Sequence, residues 1–361
     1  MQTLETLRCS TTIAICFLAI TGIVVAAEPP IYTEHQDLTY YLDGAGRKQP
    51  IKSAEDWQIR RQHILANVER VMGSLPKPSK PVPLDVKEVQ SRVVGKYTLK
   101  KISYHTDSLK HRVSAWLLIP LEAKSPAPAV LCLHQTTPIG KDEPAGLGER
   151  ENLQYAKHLA ERGYVALAPD YPSFGEYNYY FPASAGNVSG SMKAIYDNLR
   201  AIDVLEQTDG VDANRIGCIG HSLGGHNAIF TAVFDQRIRA VVSNCGFTRF
   251  HKYYGGNLKG WTSNRYMPRI ASEYGNDPDR VPFDFPELIA AIAPRAVLAS
   301  SPTRDDNFDV SGVKDCIHSA RPIFKLLEAE SLLAANYPDC AHDFPADVRQ
   351  VAYDFLDKHL K

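Results

Sequence analysis

The sequence predicts an α/β domain, a mostly parallel central sheet with helices on both faces, preceded by an N-terminal helical extension. Three observations carry this. From Pro128 onward, short apolar runs alternate with segments of helical periodicity, as in a sheet covered on both sides. The pattern G-x-S-x-G stands directly after one of these runs and directly before an Ala-containing helix. Hydrophobic residues make up 44% of 361 and charged residues 22%, which excludes both a disordered chain and a membrane bundle.

The first 27 residues differ from the rest. Arg8 gives a positive start, residues 11–25 are apolar, and Val25-Ala26-Ala27 offers small residues before Glu28. That order predicts a secretory signal peptide cleaved near Ala27, and so a secreted or periplasmic protein. The apolar run is short for a membrane span, so none is expected after cleavage. Ile15 before Cys16 argues against lipoprotein processing. Removal leaves Cys132, Cys218, Cys245, Cys316 and Cys340, an odd number, so at least one thiol is free or bridged to another chain. Cys132 and Cys218 fall in core-type runs, whereas Cys316 and Cys340 fall in surface-type segments and are candidates for a bridge.

Residues 28–85 form the extension. Ser53 can cap a helix with Glu55 and Asp56 in its first turn, Ile64, Leu65, Val68, Val71 and Met72 recur at helical spacing, and Gly73 and Pro76 stop it. The Pro-rich stretch 76–83 reads as an extended linker. A catalytic domain spans 86–361. Strands are predicted at 89–94, 100–105 and 113–119, antiparallel and leading into the sheet. The alternation then runs strand 129–133, helix 152–162, strand 165–168, helix 193–207, strand 215–219, helix 225–234, strand 238–243, strand 296–300, strand 333–337 and a terminal helix. Residues 247–294, rich in Tyr, Trp, Gly, Asn and Pro, interrupt the pattern and are expected to lie over the active site.

The motif reads Gly220-His221-Ser222-Leu223-Gly224. In its strand-turn-helix context Ser222 is the candidate nucleophile, with Gly220 and Gly224 required where side chains would meet the neighbouring strand and helix. A serine hydroxyl needs a base held by a third group. Chain order places the acid and then the histidine after the serine. Asp305 follows the 296–300 strand, and His342 lies in the loop after the last strand, followed by Phe344 and Pro345. Asp305 is preferred as the acid over Asp306. The oxyanion hole is expected from the backbone N–H of Leu223 and one from the His134-Gln135-Thr136-Thr137 loop, Thr136 ahead of Gln135. His134 reads as a residue that pins that loop.

Several further segments resemble α/β-hydrolases of the prolyl-oligopeptidase and dienelactone-hydrolase clan, especially secreted bacterial acetyl-xylan-esterase-like enzymes. They are Asp170-Tyr-Pro-Ser-Phe-Gly175, Ala201-Ile-Asp-Val-Leu205, Val211-Asp-Ala-Asn-Arg-Ile-Gly217, Pro282-Phe-Asp-Phe-Pro286, Ala293-Pro-Arg295 and the Asp-Asp-Asn at 305–307. The likeness covers residues 86–361, with a looser echo in Trp57, Arg60 and Arg61. It implies an α/β-hydrolase fold, Asp305 as the triad acid, no metal and no organic cofactor. Ser222 separates this chain from dienelactone hydrolases, which use cysteine, and from haloalkane dehalogenases, which use aspartate. A His-Gly-Gly oxyanion loop, common in lipases and esterases, is replaced here by His134-Gln135-Thr136.

These readings predict a serine carboxylic-ester hydrolase working through an acyl-enzyme on a small-molecule or carbohydrate ester, of the acetyl-xylan type. The alternatives are a peptidase of the same clan and a catalytically silent binding protein on the same scaffold. Net charge is −1, which gives no footprint for nucleic acid. Tyr171, Tyr177, Tyr179, Tyr180, Tyr253, Tyr254, Trp261 and Tyr266 either stack on sugar rings or pack a long loop.

Overall fold

The computed structural model describes residues 28–122, 124–181 and 188–361. The proposed signal peptide lies outside the described residues. Nine strands form the main sheet: β3 (Lys87–Val94), β4 (Tyr97–His105), β5 (Arg112–Pro120), β6 (Ala127–Leu133), β7 (Val165–Pro169), β8 (Val211–His221), β9 (Ile238–Asn244), β10 (Ala296–Ser300) and β11 (Leu333–Asn336). Their order is β11-β10-β9-β8-β6-β7-β5-β4-β3. Pairing is parallel from β7 through β6, β8, β9 and β10 to β11, and antiparallel at β7–β5, β5–β4 and β4–β3. A separate antiparallel pair, β1 (Tyr40–Leu42) and β2 (Lys48–Pro50), lies in the N-terminal segment. The mixed sheet with its leading antiparallel strands is the expected one.

Central strands are apolar on both faces because both are covered. Every residue of β6, β7 and β10 is buried. Alternate β6 side chains enter different cores: Ala129, Leu131 and Leu133 join one, Val130 and Cys132 the other. β3 is one of the two edge strands, and Lys87, Glu88 and Arg92 keep it polar.

The helices are α1 (Ala54–Met72), α2 (Tyr155–Glu161), α3 (Gly190–Glu206), α4 (Leu223–Phe234), α5 (Arg269–Ser272), α6 (Phe285–Ile292), α7 (Val310–Leu326) and α8 (Ala346–Leu360). α2 and α8 bury their apolar faces in one core, while α1, α3, α4, α6 and α7 bury theirs in the other. α1 starts at a reciprocal cap: Ser53 Oγ accepts from the Asp56 amide at 3.2 Å, and Asp56 Oδ2 accepts from the Ser53 amide at 3.0 Å.

The extension is bound to the rest of the domain by polar anchors inside α1. Arg61 donates to Ala291 O (2.9 Å) and Val233 O (2.7 Å), carbonyls in the last turns of α6 and α4. Those carbonyls lack intrahelical partners and carry the negative end of the helix dipole, so a guanidinium suits both. Arg60, fully buried, donates to Glu287 Oε1 at 2.6 Å. Glu287 Oε2 also meets His35 Nδ1 at 2.8 Å. The same Glu287 completes the cap of α6 with Asp284.

Three expectations need correction. Residues 247–294 do not all lie over the site: α6, at their C-terminal end, is buried at all eight positions and packs in the core. Seven of its eight residues are apolar, and the eighth, Glu287, is buried against Arg60 and His35. α7 is an additional helix between β10 and β11. Cys316 sits on its buried face, in the core shared with α4 and α6, whereas Cys340 packs on the core of the opposite sheet face. The five cysteines among the described residues are all free thiols, so the 316–340 bridge does not form. Among the described residues, no helix is long and apolar enough to cross a membrane.

Candidate active site

β8 runs into a turn at Ser222, which stands immediately before α4 with φ 55° and ψ −117°. A non-glycine residue at positive φ is strained, and here it is held by its neighbours. The Ser222 amide donates to Asn244 O at 2.9 Å, and Ser222 O accepts from the amides of Gly225 (2.9 Å) and His226 (3.2 Å). The glycines around it are sterically required. A Cβ on Gly220 would stand 2.2 Å from the Gly224 carbonyl, and one on Gly224 only 1.8 Å from Leu133 O. The turn can therefore press against both its own helix and the end of β6.

His342 lies in the loop between β11 and α8. Its Nδ1 is 2.9 Å from Asp305 Oδ2 and 3.0 Å from Oδ1. Asp305, in the loop after β10, also accepts from the amides of Asn307 (2.9 Å) and Phe308 (3.0 Å). Burial alone would raise the Asp305 carboxyl, yet its hydrogen bond to His342, the imidazole charge and the two amides hold it below the usual carboxylate value. An acceptor-only carboxylate facing Nδ1 places the imidazole proton there and leaves Nε2 as the acceptor. Asp306 is exposed, and it is Asp305 that meets the ring.

The link between His342 and the turn is His221. Its ring centroid is 4.9 Å from that of His342, and the ring also stacks on Phe344 at 6.5 Å and 14°. Asn244 Nδ2 donates to His221 Nδ1 at 2.8 Å and to Asp343 O at 3.0 Å, tying the His342 loop to the end of β9. Burial pushes the His221 imidazole down to about 3, and the neighbouring His342 adds to the effect. It stays neutral beside the candidate base.

The oxyanion candidates flank Ser222. Leu223 is the first residue of α4, so its N–H has no acceptor within the helix. On the β6 side, His134 is buried, with Nε2 accepting from the Tyr171 amide at 2.9 Å and Nδ1 donating to Gln135 O at 2.6 Å. Burial pushes it down to about 4, so it acts as a fixed neutral peg for the loop. Gln135 turns inward, donating to Glu143 Oε2 at 3.3 Å. Thr136 is exposed, and its Oγ1 is 3.2 Å from Tyr266 OH.

The aromatic residues divide. Tyr171, Tyr177, Tyr253 and Trp261 are buried and serve packing. Trp261 lies 4.8 Å from the His226 ring, between α4 and Phe250. Tyr254 is 58% exposed, and its OH donates to Asn307 Oδ1 at 3.1 Å beside the acid loop. Tyr254 thus stands at the acid loop, and Tyr266 at the 134–137 loop.

Cys245 was not singled out in the sequence. It follows β9 with φ 49°, is buried, and its Sγ lies 3.5 Å from Asp343 O. Its sulfur, an Asp305 carboxylate oxygen and a His342 ring nitrogen all lie within 4.8 Å of one another. Burial and then the Asp305 charge raise the thiol well above its ordinary value. Its position at a strand C-terminal end, in Asn244-Cys245-Gly246, was the available signal.

The profile of a family described as glucuronyl esterase of fungi matches residues 175–328. The protein YtaP of Bacillus subtilis, named as a hydrolase, is 27% identical over 305 residues, covering 81% of this chain and 97% of its own. A 4-O-methyl-glucuronoyl methylesterase of Sodiomyces alcalophilus is 25% identical over 181 residues, 46% of this chain and 36% of its own. Among solved structures, a glucuronoyl esterase from Solibacter usitatus superposes with a TM-score of 0.72 at 21% identity, covering 93% of this chain and 100% of that one. An acetyl xylan esterase candidate from Bacteroides fragilis superposes at 0.62 with 19% identity, over 80% of this chain and 76% of that one. The shared architecture spans nearly the whole chain, and the matched family segment contains both Ser222 and Asp305. The chain is a serine hydrolase of the α/β-hydrolase superfamily.

Proposed function

We propose that this enzyme is an exported carbohydrate esterase that cleaves esters of a hexuronic acid, with Ser222 as nucleophile, His342 as base and Asp305 as acid. The observation that carries the chemistry is the contact of His342 Nδ1 with Asp305 at 2.9 Å, with His221 joining that pair to the Ser222 turn. Nε2 takes the Ser222 proton as Oγ attacks the ester carbonyl. The Leu223 N–H and one from the 135–136 loop receive the oxyanion. Nε2 then protonates the departing alkoxide, and water repeats the cycle on the acyl-enzyme. Asp305 remains ionised throughout and stabilises the imidazolium.

The substrate class rests on the glucuronyl-esterase profile and on the relatives named for glucuronoyl esters. Tyr254, exposed beside the acid loop, offers a ring face for a sugar. Export rests on residues 1–27 alone.

The test is hydrolysis of benzyl glucuronate, p-nitrophenyl acetate, acetylated xylan and an aminoacyl-nitroanilide by the mature protein. Benzyl alcohol release that disappears in Ser222→Ala is expected. Acetate release alone would move the acyl group to acetyl, and anilide cleavage alone would make the enzyme a peptidase.

A further inference from the structure

The proposed triad leaves one nucleophilic group beside it unused, the Cys245 thiol. We propose that Cys245, Asp305 and His342 form an inhibitory site for a soft or borderline divalent cation such as zinc or cadmium. The proposal rests on the triad reading for its inhibitory effect, while the binding itself depends on geometry alone.

The three side chains offer a sulfur, a carboxylate oxygen and an imidazole nitrogen, one from each of three separate loops at the C-terminal ends of β9, β10 and β11. That donor set suits zinc or cadmium and not magnesium or calcium, which take oxygen ligands. A tetrahedral zinc ion with Zn–N of about 2.0–2.1 Å and Zn–S of about 2.3 Å holds its donors roughly 3.3–3.6 Å apart. His342 Nδ1 and Asp305 already stand 2.9–3.0 Å apart, and all three donors fall within 4.8 Å. Closing the thiol onto the ion takes about 1 Å of movement, which a side chain can supply. His342, half-buried, is the most accessible member of the set, and the ion enters from its side. Water completes the coordination.

Proton accounting shows why such an ion would inhibit. The metal replaces the proton on Nδ1 and bridges the imidazole to Asp305. Neutral imidazole keeps one proton, which moves to Nε2. The Cys245 thiol loses its proton to solvent as the sulfur–metal bond forms, with the cation stabilising the thiolate. Nε2 then carries a hydrogen and cannot accept the one on Ser222, so acylation stops until the metal leaves.

The test begins with Ser222→Ala protein titrated with cadmium chloride and followed by the thiolate-to-cadmium charge-transfer absorption. A band is expected that saturates at one equivalent, persists when Cys340→Ser is added, and is lost when Cys245→Ser is added. Cys245→Ala serves in its place if the serine variant is insoluble. In wild type, zinc should lower kcat at least about tenfold, EDTA should restore it, and magnesium should leave it unchanged. A band that survives Cys245→Ser, or no band at all, would overturn the site. Binding to Cys245 in a protein that hydrolyses no ester would leave the metal site standing and defeat the esterase reading instead.

Discussion

His342 Nδ1 lies 2.9 Å from the Asp305 carboxylate although 37 residues and the whole of α7 and β11 separate them. The contact exists because β10 and β11 are parallel neighbours, so the loops at their C-terminal ends meet. Asp305→Asn keeps the shape but removes the charge that fixes the Nδ1 proton. We expect kcat to fall by roughly 10³–10⁴, while Asp306→Asn, at an exposed position, changes it by less than about threefold. Steady-state kinetics with an activated ester separates the two.

Gly224→Ala places a carbon 1.8 Å from Leu133 O, a backbone atom of a fully buried strand. The strand cannot yield without moving the sheet, so overpacking here should exceed the usual 1–3 kcal/mol. Loss of soluble protein, or a thermal midpoint lowered by more than about 5 °C, is the expected result.

α1 is predicted to be part of the cooperative unit. Arg60→Ala leaves Glu287 buried beside His35 without its guanidinium partner. Breaking a buried pair from one side costs about 3–5 kcal/mol. Urea unfolding should show a lowered midpoint with a single transition. An unchanged midpoint would mean that α1 contributes little to the domain.

The buried His226 gives a pH signature. Burial holds its imidazole down to about 3 against an ordinary 6.5. In the unfolded chain it protonates below about 6.5 while the folded protein resists, so its contribution is intact above that pH and is lost as pH falls. Each unit of that fall costs up to about 1.4 kcal/mol per group. His35 has the opposite sign: burial alone would lower it, but Glu287 outweighs this and raises it, so its contribution fades as pH rises. His226→Gln should therefore flatten the loss of stability between pH 6.5 and pH 4 relative to wild type. Equal slopes in denaturant titrations would contradict the assignment.

The parts of this fold legible in the sequence were those whose signal is local. β6 and β10 announce themselves because both faces are covered, and the Ser222 turn because its glycines are sterically compelled within five residues. α6 hid because it is only eight residues long, opens on Phe285-Pro286 and lies in a stretch of loop-like composition. α7 carries Gly312 and Pro322, residues that ordinarily argue against a helix. Ser222, Asp305 and His342 could be nominated from motif and chain order. The Asn244 bridge from His221 to the His342 loop, and Cys245 beside Asp305, arise between strands far apart in sequence and needed coordinates. Arg61 was visible only as a residue in a familiar pattern, and its use as a cap for two helix ends is a tertiary fact.

The central claim is that Ser222 is activated by His342. Reaction with a fluorophosphonate followed by peptide mapping tests it most directly. A single adduct on Ser222, formed at least about 10³-fold more slowly in His342→Ala, is the predicted result. An adduct on another serine, or undiminished labelling of Ser222 without His342, would contradict it.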